Sequence, residues 1–260
     1  MEPDETNPLV GMMGARLAGR RAIVTGGSRG IGRAVVRRLA ADGAAVVFSY
    51  LSDAKAAQET IEQVESDGGT AHAVQADQGD LADLEVLFAE ADRLLGGLDI
   101  LVVNAGKNTP GPIDGVTEAE YDRAMAVNAK GAFFAIQHAA RRLSDHGRIV
   151  ALSTLNTVVP VPGSSVYIGA KSALEGFVAA AARELGGRGI TVNTVSPGAT
   201  DTELLRATNP PEALEQTAGF TALGRLGQPA DVADVVAFLA GPDGRWITGQ
   251  NLRATGGMIV

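Results

Sequence analysis

Short apolar runs rich in β-branched residues alternate with longer stretches whose apolar residues recur at helical spacing, along almost the whole 260-residue chain. We predict seven strands, at residues 21–25, 45–50, 71–75, 100–104, 148–153, 191–196 and 251–254. We predict helices between them, at residues 31–41, 54–66, 81–95, 118–143, 165–185 and 230–239. Strands separated by helices need crossover connections, which produce a parallel sheet covered on both faces. The pattern therefore predicts an α/β fold, a single doubly wound domain of the Rossmann type around a seven-stranded, mainly parallel sheet.

Two segments fall outside this alternation. Residues 1–16 lack the basic start and apolar core of a signal peptide, so we expect a flexible tail before a domain that spans residues 17–260. Residues 201–226 follow the sixth strand and include two prolines and two glycines. Ligands bind at the carboxyl ends of the strands in such sheets, so we expect this segment to act as a lid. The alternative is an ordinary helical insertion.

Charge and composition narrow the classes of partner. The formal net charge of −8 disfavours nonspecific binding to nucleic acid or to an anionic membrane. No apolar run approaches the roughly 20 residues that a membrane-spanning helix needs. The chain has no cysteine, and its histidines, His72, His138 and His146, lack metal-ligand spacing. We expect a cytoplasmic protein that binds a small molecule, with no metal and no nucleic-acid or membrane partner.

A glycine-rich turn joins the first predicted strand to the first predicted helix, in the pattern Gly-x3-Gly-x-Gly. Glycines let the backbone turn sharply and let an anion approach the free N–H groups of the helix N-terminus, which indicates a pyrophosphate-binding turn. The candidate nucleotide contacts are Gly26, Ser28, Arg29, Gly30, Ile31 and Gly32. The same residues also fit the Gly-x-Ser-x-Gly motif of serine hydrolases. That chemistry needs an acid and then a histidine later in the chain, and no histidine follows His146.

Several further motifs follow this turn in a fixed order. With the turn, the set is Thr25-Gly26-x3-Gly30-x-Gly32, Asn104-Ala105-Gly106, Asn128, Tyr167-x3-Lys171 and Pro197-Gly198. The set resembles the short-chain dehydrogenase/reductase family, over about residues 17–257. Within that family the chain is most similar to the 3-oxoacyl-carrier-protein reductases and the fungal hydroxynaphthalene reductases. The resemblance implies hydride transfer between a nicotinamide cofactor and a carbonyl group.

Tyr167 and Lys171 form the candidate catalytic pair. Four residues apart on a predicted helix, they share one face, and we expect the neighbouring ammonium to lower the pKa of the phenol from about 10. The resemblance implies that Tyr167 protonates the carbonyl oxygen and that Lys171 holds the nicotinamide ribose. It also implies a hydroxyl that orients the carbonyl, usually on a serine. The spacing favours Thr154, with Ser153 as the alternative, and Asn128 matches a residue that supports a proton relay.

The end of the second predicted strand bears on the choice between NAD and NADP. NAD-binding folds usually have an acid here that accepts hydrogen bonds from the ribose hydroxyls, whereas this chain has Tyr50. Asp53 is a rival acid, but the pair Ser52-Asp53 fits a helix cap better. Arg29 can pair with a 2′-phosphate, and Ser49 and Ser52 can add hydroxyl donors. We therefore predict that NADP(H) is preferred over NAD(H).

The resemblance implies further cofactor contacts along the sheet edge. Asp77 matches the adenine contact, and the others are Asn104, Ala105, Gly106, Pro197, Gly198, Thr200 and Thr202. It also implies a homotetramer or homodimer, associated through the helices of Asn128 and Tyr167 and through the C-terminal region around Trp246.

The protein is expected to reduce a ketone, of a 3-oxoacyl or polyketide-like kind, to a secondary alcohol with NADPH. The alternatives are an NAD-dependent alcohol dehydrogenase, a non-catalytic regulatory protein of the same fold, and an epimerase or dehydratase of related fold.

Overall fold

Seven strands form one sheet in the structure, a computed structural model that describes residues 16–108 and 110–259, without the side chain of Thr208. The strands are β1 (Arg21–Val24), β2 (Ala45–Tyr50), β3 (Thr70–Gln75), β4 (Leu98–Val103), β5 (Leu143–Leu152), β6 (Thr191–Pro197) and β7 (Asn251–Ala254). Their order is β3-β2-β1-β4-β5-β6-β7, and all neighbouring pairs are parallel. The predicted α/β fold with a doubly wound sheet is confirmed.

Helices cover both faces of this sheet. They are α1 (Gly30–Ala41), α2 (Ala54–Ser66), α3 (Leu81–Leu95), α4 (Glu118–Met125), α5 (Ala132–Arg142), α6 (Ser165–Leu185), α7 (Glu203–Thr208), α8 (Pro211–Gly219) and α9 (Pro229–Ala240). One apolar cluster packs α1, α2 and α9 against one face, and a second packs α3, α5 and α6 against the other. Both faces of the sheet are shielded from solvent, because the helices pack their apolar faces against it.

The predicted continuous helix over residues 118–143 is wrong, because a π-helical turn at Ala126–Gly131 separates α4 from α5. At this turn, side-chain amides donate hydrogen bonds to backbone carbonyls. Gln78 Nε2 donates to Val127 O at 2.9 Å, and Asn128 Nδ2 donates to Ala124 O at 2.9 Å. The loop after β3 also comes so close that a Cβ on Gly131 would lie 1.9 Å from Gln78 O. Side chains inserted into the helical ladder are a known cause of such interruptions.

Strand β5 begins five residues before its predicted start at residue 148. Leu143 pairs with Leu98, and the register shifts before Ile100 pairs with Arg148. Residues 144–146 are polar, and Asp145 and His146 are exposed, so the sequence pattern does not indicate a strand here. His146 has a left-handed backbone with φ of 63°.

Helices α7 and α8 occupy most of the segment predicted as a lid, residues 201–226. The segment follows β6 and exposes apolar side chains, among them Phe220 and Leu223.

Residues 1–15 of the predicted tail lie outside the described residues. None of the described helices combines the length and the apolar character that a membrane crossing requires.

Candidate active site

The glycine-rich turn between β1 and α1 has a backbone that other residues cannot adopt. Gly26 has φ of 69°, and a Cβ on Gly32 would lie 2.0 Å from Gly26 O. In the described part of the chain no side-chain hydrogen bond caps α1, so its first N–H groups remain available to an anion. The turn therefore fits the pyrophosphate of a dinucleotide.

The end of β4 holds this turn in place. Asn104 Nδ2 donates to the carbonyls of Thr25 and Gly26, at 2.9 and 3.0 Å. Thr25 Oγ1 accepts from the amides of Asn104 and Ala105, both at 3.0 Å. The Asn104 side chain thus braces the turn, and the backbone of 104–106 forms the neighbouring rim.

Helix α6 places the predicted catalytic pair against the end of β5. Lys171 is 3% exposed, and its Nζ donates to Leu152 O at 2.7 Å. Nζ lies 5.8 Å from the centroid of the Tyr167 ring. Four-residue spacing on one helix face brings both side chains to the carboxyl edge of the sheet.

Burial dominates the protonation of this pair. It raises the pKa of Tyr167 to about 12, opposed by a hydrogen bond from Thr154. It lowers the pKa of Lys171 to about 8, opposed by the charge of Glu175. The expected lowering of the Tyr167 pKa by the ammonium is therefore wrong in direction, because burial removes the phenolate from water and raises the pKa instead.

The two candidate hydroxyls at the end of β5 point to different partners. The Thr154 hydroxyl lies close enough to the Tyr167 phenol to lower its pKa, and Thr154 Oγ1 accepts from the amide of Asn156 at 3.2 Å. Ser153 is 5% exposed, and its Oγ donates to Glu175 Oε1 at 2.5 Å. The structure therefore places Thr154, rather than Ser153, beside the phenol.

Asn128 lies in the π-helical turn and is fully buried. Its amide bonds the backbone of Lys107 in both directions: Nδ2 donates to Lys107 O at 2.8 Å, and Oδ1 accepts from Lys107 N at 3.1 Å. A Cβ on Gly106 would lie 3.1 Å from Asn128 Oδ1 and 3.5 Å from Lys171 Nζ. The loop after β4 is thereby fixed next to the lysine.

Three comparisons with known proteins agree with this geometry. The family model described as enoyl-(acyl carrier protein) reductase matches residues 26–259. A hydroxynaphthalene reductase-like protein, Arp2, of Metarhizium brunneum is 40% identical over 257 residues, covering 94% of this chain and 96% of its own. The chain belongs to the short-chain dehydrogenase/reductase family.

Two solved structures of this family show the same fold. A short-chain dehydrogenase from Burkholderia cenocepacia J2315, in complex with NADP, is 43% identical with a TM-score of 0.88, covering 94% of this chain and 99% of its own. The angucycline C-6 ketoreductase LanV, with bound NADP, is 43% identical with a TM-score of 0.89, covering 94% and 97%. The short-chain dehydrogenase/reductase fold is thus shown over nearly the whole chain.

In this family member, the residues described at the predicted ribose end of the cofactor site include the exposed cation of Arg29, and the described strand β2 contains no acidic residue. Arg29 is exposed and Tyr50 is half-buried. The Asp53 carboxylate accepts from Ala56 N at 2.9 Å, as a helix cap. Ser49 is buried and its Oγ accepts from Gly26 N at 3.0 Å, whereas Ser52 is exposed.

The other predicted cofactor residues have varied surroundings. The Asp77 carboxylate accepts from Arg123 Nη2 at 2.7 Å and from Gly79 N at 2.8 Å, so this oxygen pair is already partly engaged. A Cβ on Gly30 would lie 3.4 Å from Thr202 Cγ2, which brings the start of α7 to the glycine-rich turn. Pro197, Gly198 and Thr200 continue from the end of β6 along the same edge of the sheet.

Sequence reasoning missed three residues that shape this site. Gln78 bridges Ala105 O and Val127 O, Arg123 holds Asp77, and Glu175 holds Ser153. The spacing of Glu175, four residues after Lys171, was a usable signal, whereas the other two contacts join distant segments.

Across the described residues, His, Asp and Glu side chains form no group of three suited to a metal ion.

Proposed function

We propose that this protein is an NADPH-dependent ketone reductase with Tyr167 as the proton donor. One observation carries the proposal: the Tyr167 phenol lies beside the buried Lys171 and close to the Thr154 hydroxyl, at the same sheet edge as the glycine-rich turn. The similar proteins support this reaction class, since one is hydroxynaphthalene reductase-like and another is a ketoreductase solved with NADP.

In the proposed reaction, each residue around the phenol has a separate role at the carbonyl group of the substrate. A reduced nicotinamide, when bound, supplies the hydride to the carbonyl carbon. Thr154 donates a hydrogen bond that orients the oxygen, and Tyr167 gives that oxygen its hydroxyl proton as negative charge develops. The Lys171 ammonium stabilises the resulting phenolate and binds the nicotinamide ribose. Asn128 fixes the loop beside Lys171 and supports the return of a proton.

The cofactor groove supports a preference for NADPH. We assign the 2′-phosphate to the exposed Arg29, with Tyr50 and Ser52 at the end of β2 as further contacts, while the Asp53 carboxylate is used as the cap of α2. We assign the other contacts to Gly26, Ser28, Gly30, Ile31, Gly32, Asp77, Asn104, Ala105, Gly106, Tyr167, Lys171, Pro197, Gly198, Thr200 and Thr202.

The same proposal covers the surroundings of the site. Residues 17–260 form the catalytic domain, and residues 201–226 close over the substrate. Val158, Val159 and Val161 follow β5 and are partly exposed, which favours an apolar ketone such as a 3-oxoacyl or polyketide-like compound. We propose a homotetramer or homodimer as the working assembly.

The test is a carbonyl panel with matched cofactors. Cyclic aromatic ketones, a 3-oxoacyl thioester, a sugar and an enoyl thioester are each offered with NADPH or NADH, and loss of nicotinamide absorbance is followed. We expect ketone reduction with NADPH to be fastest, and Tyr167→Phe to lower kcat by about 10²–10⁴-fold, as loss of a general acid does. Reduction of the enoyl compound alone, or full activity of Tyr167→Phe, would contradict the proposal.

A further inference from the structure

Three consecutive residues at the end of β5 contact three residues spaced one turn apart on α6. The carbonyl of Leu152 accepts from Lys171, and the hydroxyl of Ser153 donates to Glu175. The hydroxyl of Thr154 lies close enough to Tyr167 to lower the pKa of the phenol. The helix residues are numbered 167, 171 and 175, so they lie on one face of α6. The strand end and the helix face are therefore joined by three consecutive polar contacts. The second of them, between Ser153 and Glu175, has no role in the proposed reaction so far.

The Ser153–Glu175 contact has the features of a strong hydrogen bond. Ser153 Oγ lies 2.5 Å from Glu175 Oε1, the separation typical of a hydroxyl that donates to a carboxylate. Ser153 is 5% exposed and Glu175 is half-buried. The Ser153 hydroxyl is thus directed at Glu175, away from Tyr167.

Glu175 also lies where Lys171 needs a negative charge. The only hydrogen bond of Lys171 Nζ among the described contacts is to the uncharged carbonyl of Leu152. The ionisable groups near it are Tyr167 and Glu175 on its own helix, while Asn128 and the Gly106 loop face it from the neighbouring elements. A buried ammonium is costly without a counter-charge, and the Glu175 carboxylate acts to raise the pKa of Lys171.

We infer that Ser153 and Glu175 are a positioning pair for the proposed proton donor. Their hydrogen bond holds the end of β5 against α6, and the carboxylate keeps the Lys171 ammonium charged. This inference rests on the proposed function for its effect on catalysis. Its electrostatic half, the coupling between Glu175 and Lys171, is a property of the folded protein alone.

Glu175→Gln separates charge from shape, because glutamine keeps an oxygen that can accept from Ser153. Its matched control is Glu184→Gln, an exposed glutamate on the same helix. We expect the basic limb of the kcat–pH profile to move to lower pH in Glu175→Gln by roughly half a unit or more. We expect kcat at pH 8 to fall by about twofold or more with little change in the ketone KM, and Glu184→Gln to match the wild type.

Glu175→Asp and Ser153→Ala complete the set. Glu175→Asp retains the negative charge. Its basic limb in the kcat–pH profile should therefore lie closer to the wild-type limb than that of Glu175→Gln does. Ser153→Ala retains the charge of Glu175 but loses the hydrogen bond between the end of β5 and α6. Its kcat should therefore fall, while its basic limb moves less than that of Glu175→Gln. A Glu175→Gln enzyme with the wild-type limb and wild-type kcat would overturn the inference.

A second readout needs no turnover. Thermal unfolding of the cofactor-free proteins is measured at pH 7 and at pH 10, and each variant is compared with the wild type at the same pH. Lys171 is charged in the fold at pH 7 and neutral at pH 10, because its pKa is about 8. The Tm deficit of Glu175→Gln should therefore be larger at pH 7 than at pH 10, and that of Ser153→Ala should be similar at both. Equal deficits for Glu175→Gln would refute the coupling, even if the wild type reduced no ketone.

Discussion

The phenol of Tyr167 keeps its proton throughout the physiological pH range. Burial raises its pKa to about 12, so the phenol is protonated and can act as a donor. Without a neighbouring positive charge, however, a phenol with this pKa is a weak acid. The neighbouring Lys171 supplies the compensating charge only while it is protonated, up to a pH of about 8. The titration that limits the proposed reaction is therefore expected to be that of the lysine.

A pH profile tests this assignment. The rate of ketone reduction should fall as the pH rises through about 8, because loss of the Lys171 proton removes the charge that stabilises the phenolate. The measurement is kcat with saturating NADPH between pH 6 and 10. Lys171→Met should have a low kcat without this limb. A wild-type rate that is constant through pH 8 to 9 would refute the role of Lys171.

Thr154 and Ser153 offer a direct comparison of two adjacent hydroxyls. Thr154→Val keeps the shape and removes the hydroxyl that faces Tyr167, so we expect kcat to fall by about 10²–10³-fold, as for loss of one oxyanion donor. Thr154→Ser keeps the hydroxyl and should retain most of the activity. Steady-state rates on the best ketone measure both. Loss of all activity in Ser153→Ala with normal activity in Thr154→Val would reverse the assignment.

Arg29 decides the proposed cofactor preference. Arg29→Ala should weaken NADPH binding by roughly tenfold or more and leave NADH binding nearly unchanged, since only NADPH carries a 2′-phosphate. Binding is measured by fluorescence titration of each cofactor. Arg183→Ala, at an exposed arginine near the end of α6, is the control. Equal losses for both cofactors would show that Arg29 does not read the 2′-phosphate.

At the scale of elements, the junction of α4 and α5 depends on close approach of the loop after β3. The glycine at position 131 lets the carbonyl of Gln78 approach the helix, and the Gln78 side chain then reaches Val127 O. This contact holds the π-helical turn that carries Asn128. The turn places an interior asparagine next to Lys171 without leaving its amide unpaired.

Gly131→Ala tests that packing. The added Cβ would lie 1.9 Å from Gln78 O, so the backbone must shift, and we expect a loss of about 2–3 kcal/mol in the free energy of unfolding. Gly176→Ala in α6 is the matched control, since nothing lies within 4 Å of its Cβ. That change should be neutral or stabilising by up to about 1 kcal/mol. Urea unfolding measures both, and equal stability of the two variants would contradict the packing argument.

At the scale of the whole molecule, large apolar side chains remain exposed on the surfaces proposed for assembly. Trp246 is 96% exposed in the C-terminal region, and Phe133 is exposed on α5. A monomer seldom leaves a tryptophan so bare, which supports association of copies of the chain.

Light scattering tests the proposed assembly. We expect a mass of four chains, or of two, for the wild type at micromolar concentration. Trp246→Ala should shift the mass towards smaller species or raise the concentration needed for assembly, with the far-ultraviolet circular dichroism unchanged. A wild type that is monomeric at all concentrations would refute the assembly.

By itself, the sequence determined the doubly wound architecture and the order of the candidate motifs. Periodicities of two and of 3.6 residues, together with glycine spacing, are local properties and need no knowledge of distant contacts. The same local spacing placed Tyr167 and Lys171 on one helix face. The start of β5 was predicted five residues too late, because its pairing with β4 decides where it begins.

Only the tertiary structure decided which side chains meet between elements. It directed Ser153 to Glu175 and Thr154 to Tyr167, gave Asp77 an arginine partner from α4, and interrupted the predicted helix at Asn128. It also reversed the expected direction of the Tyr167 pKa shift. Each of these outcomes depends on burial and on contacts between segments far apart in the chain, which residue spacing does not encode.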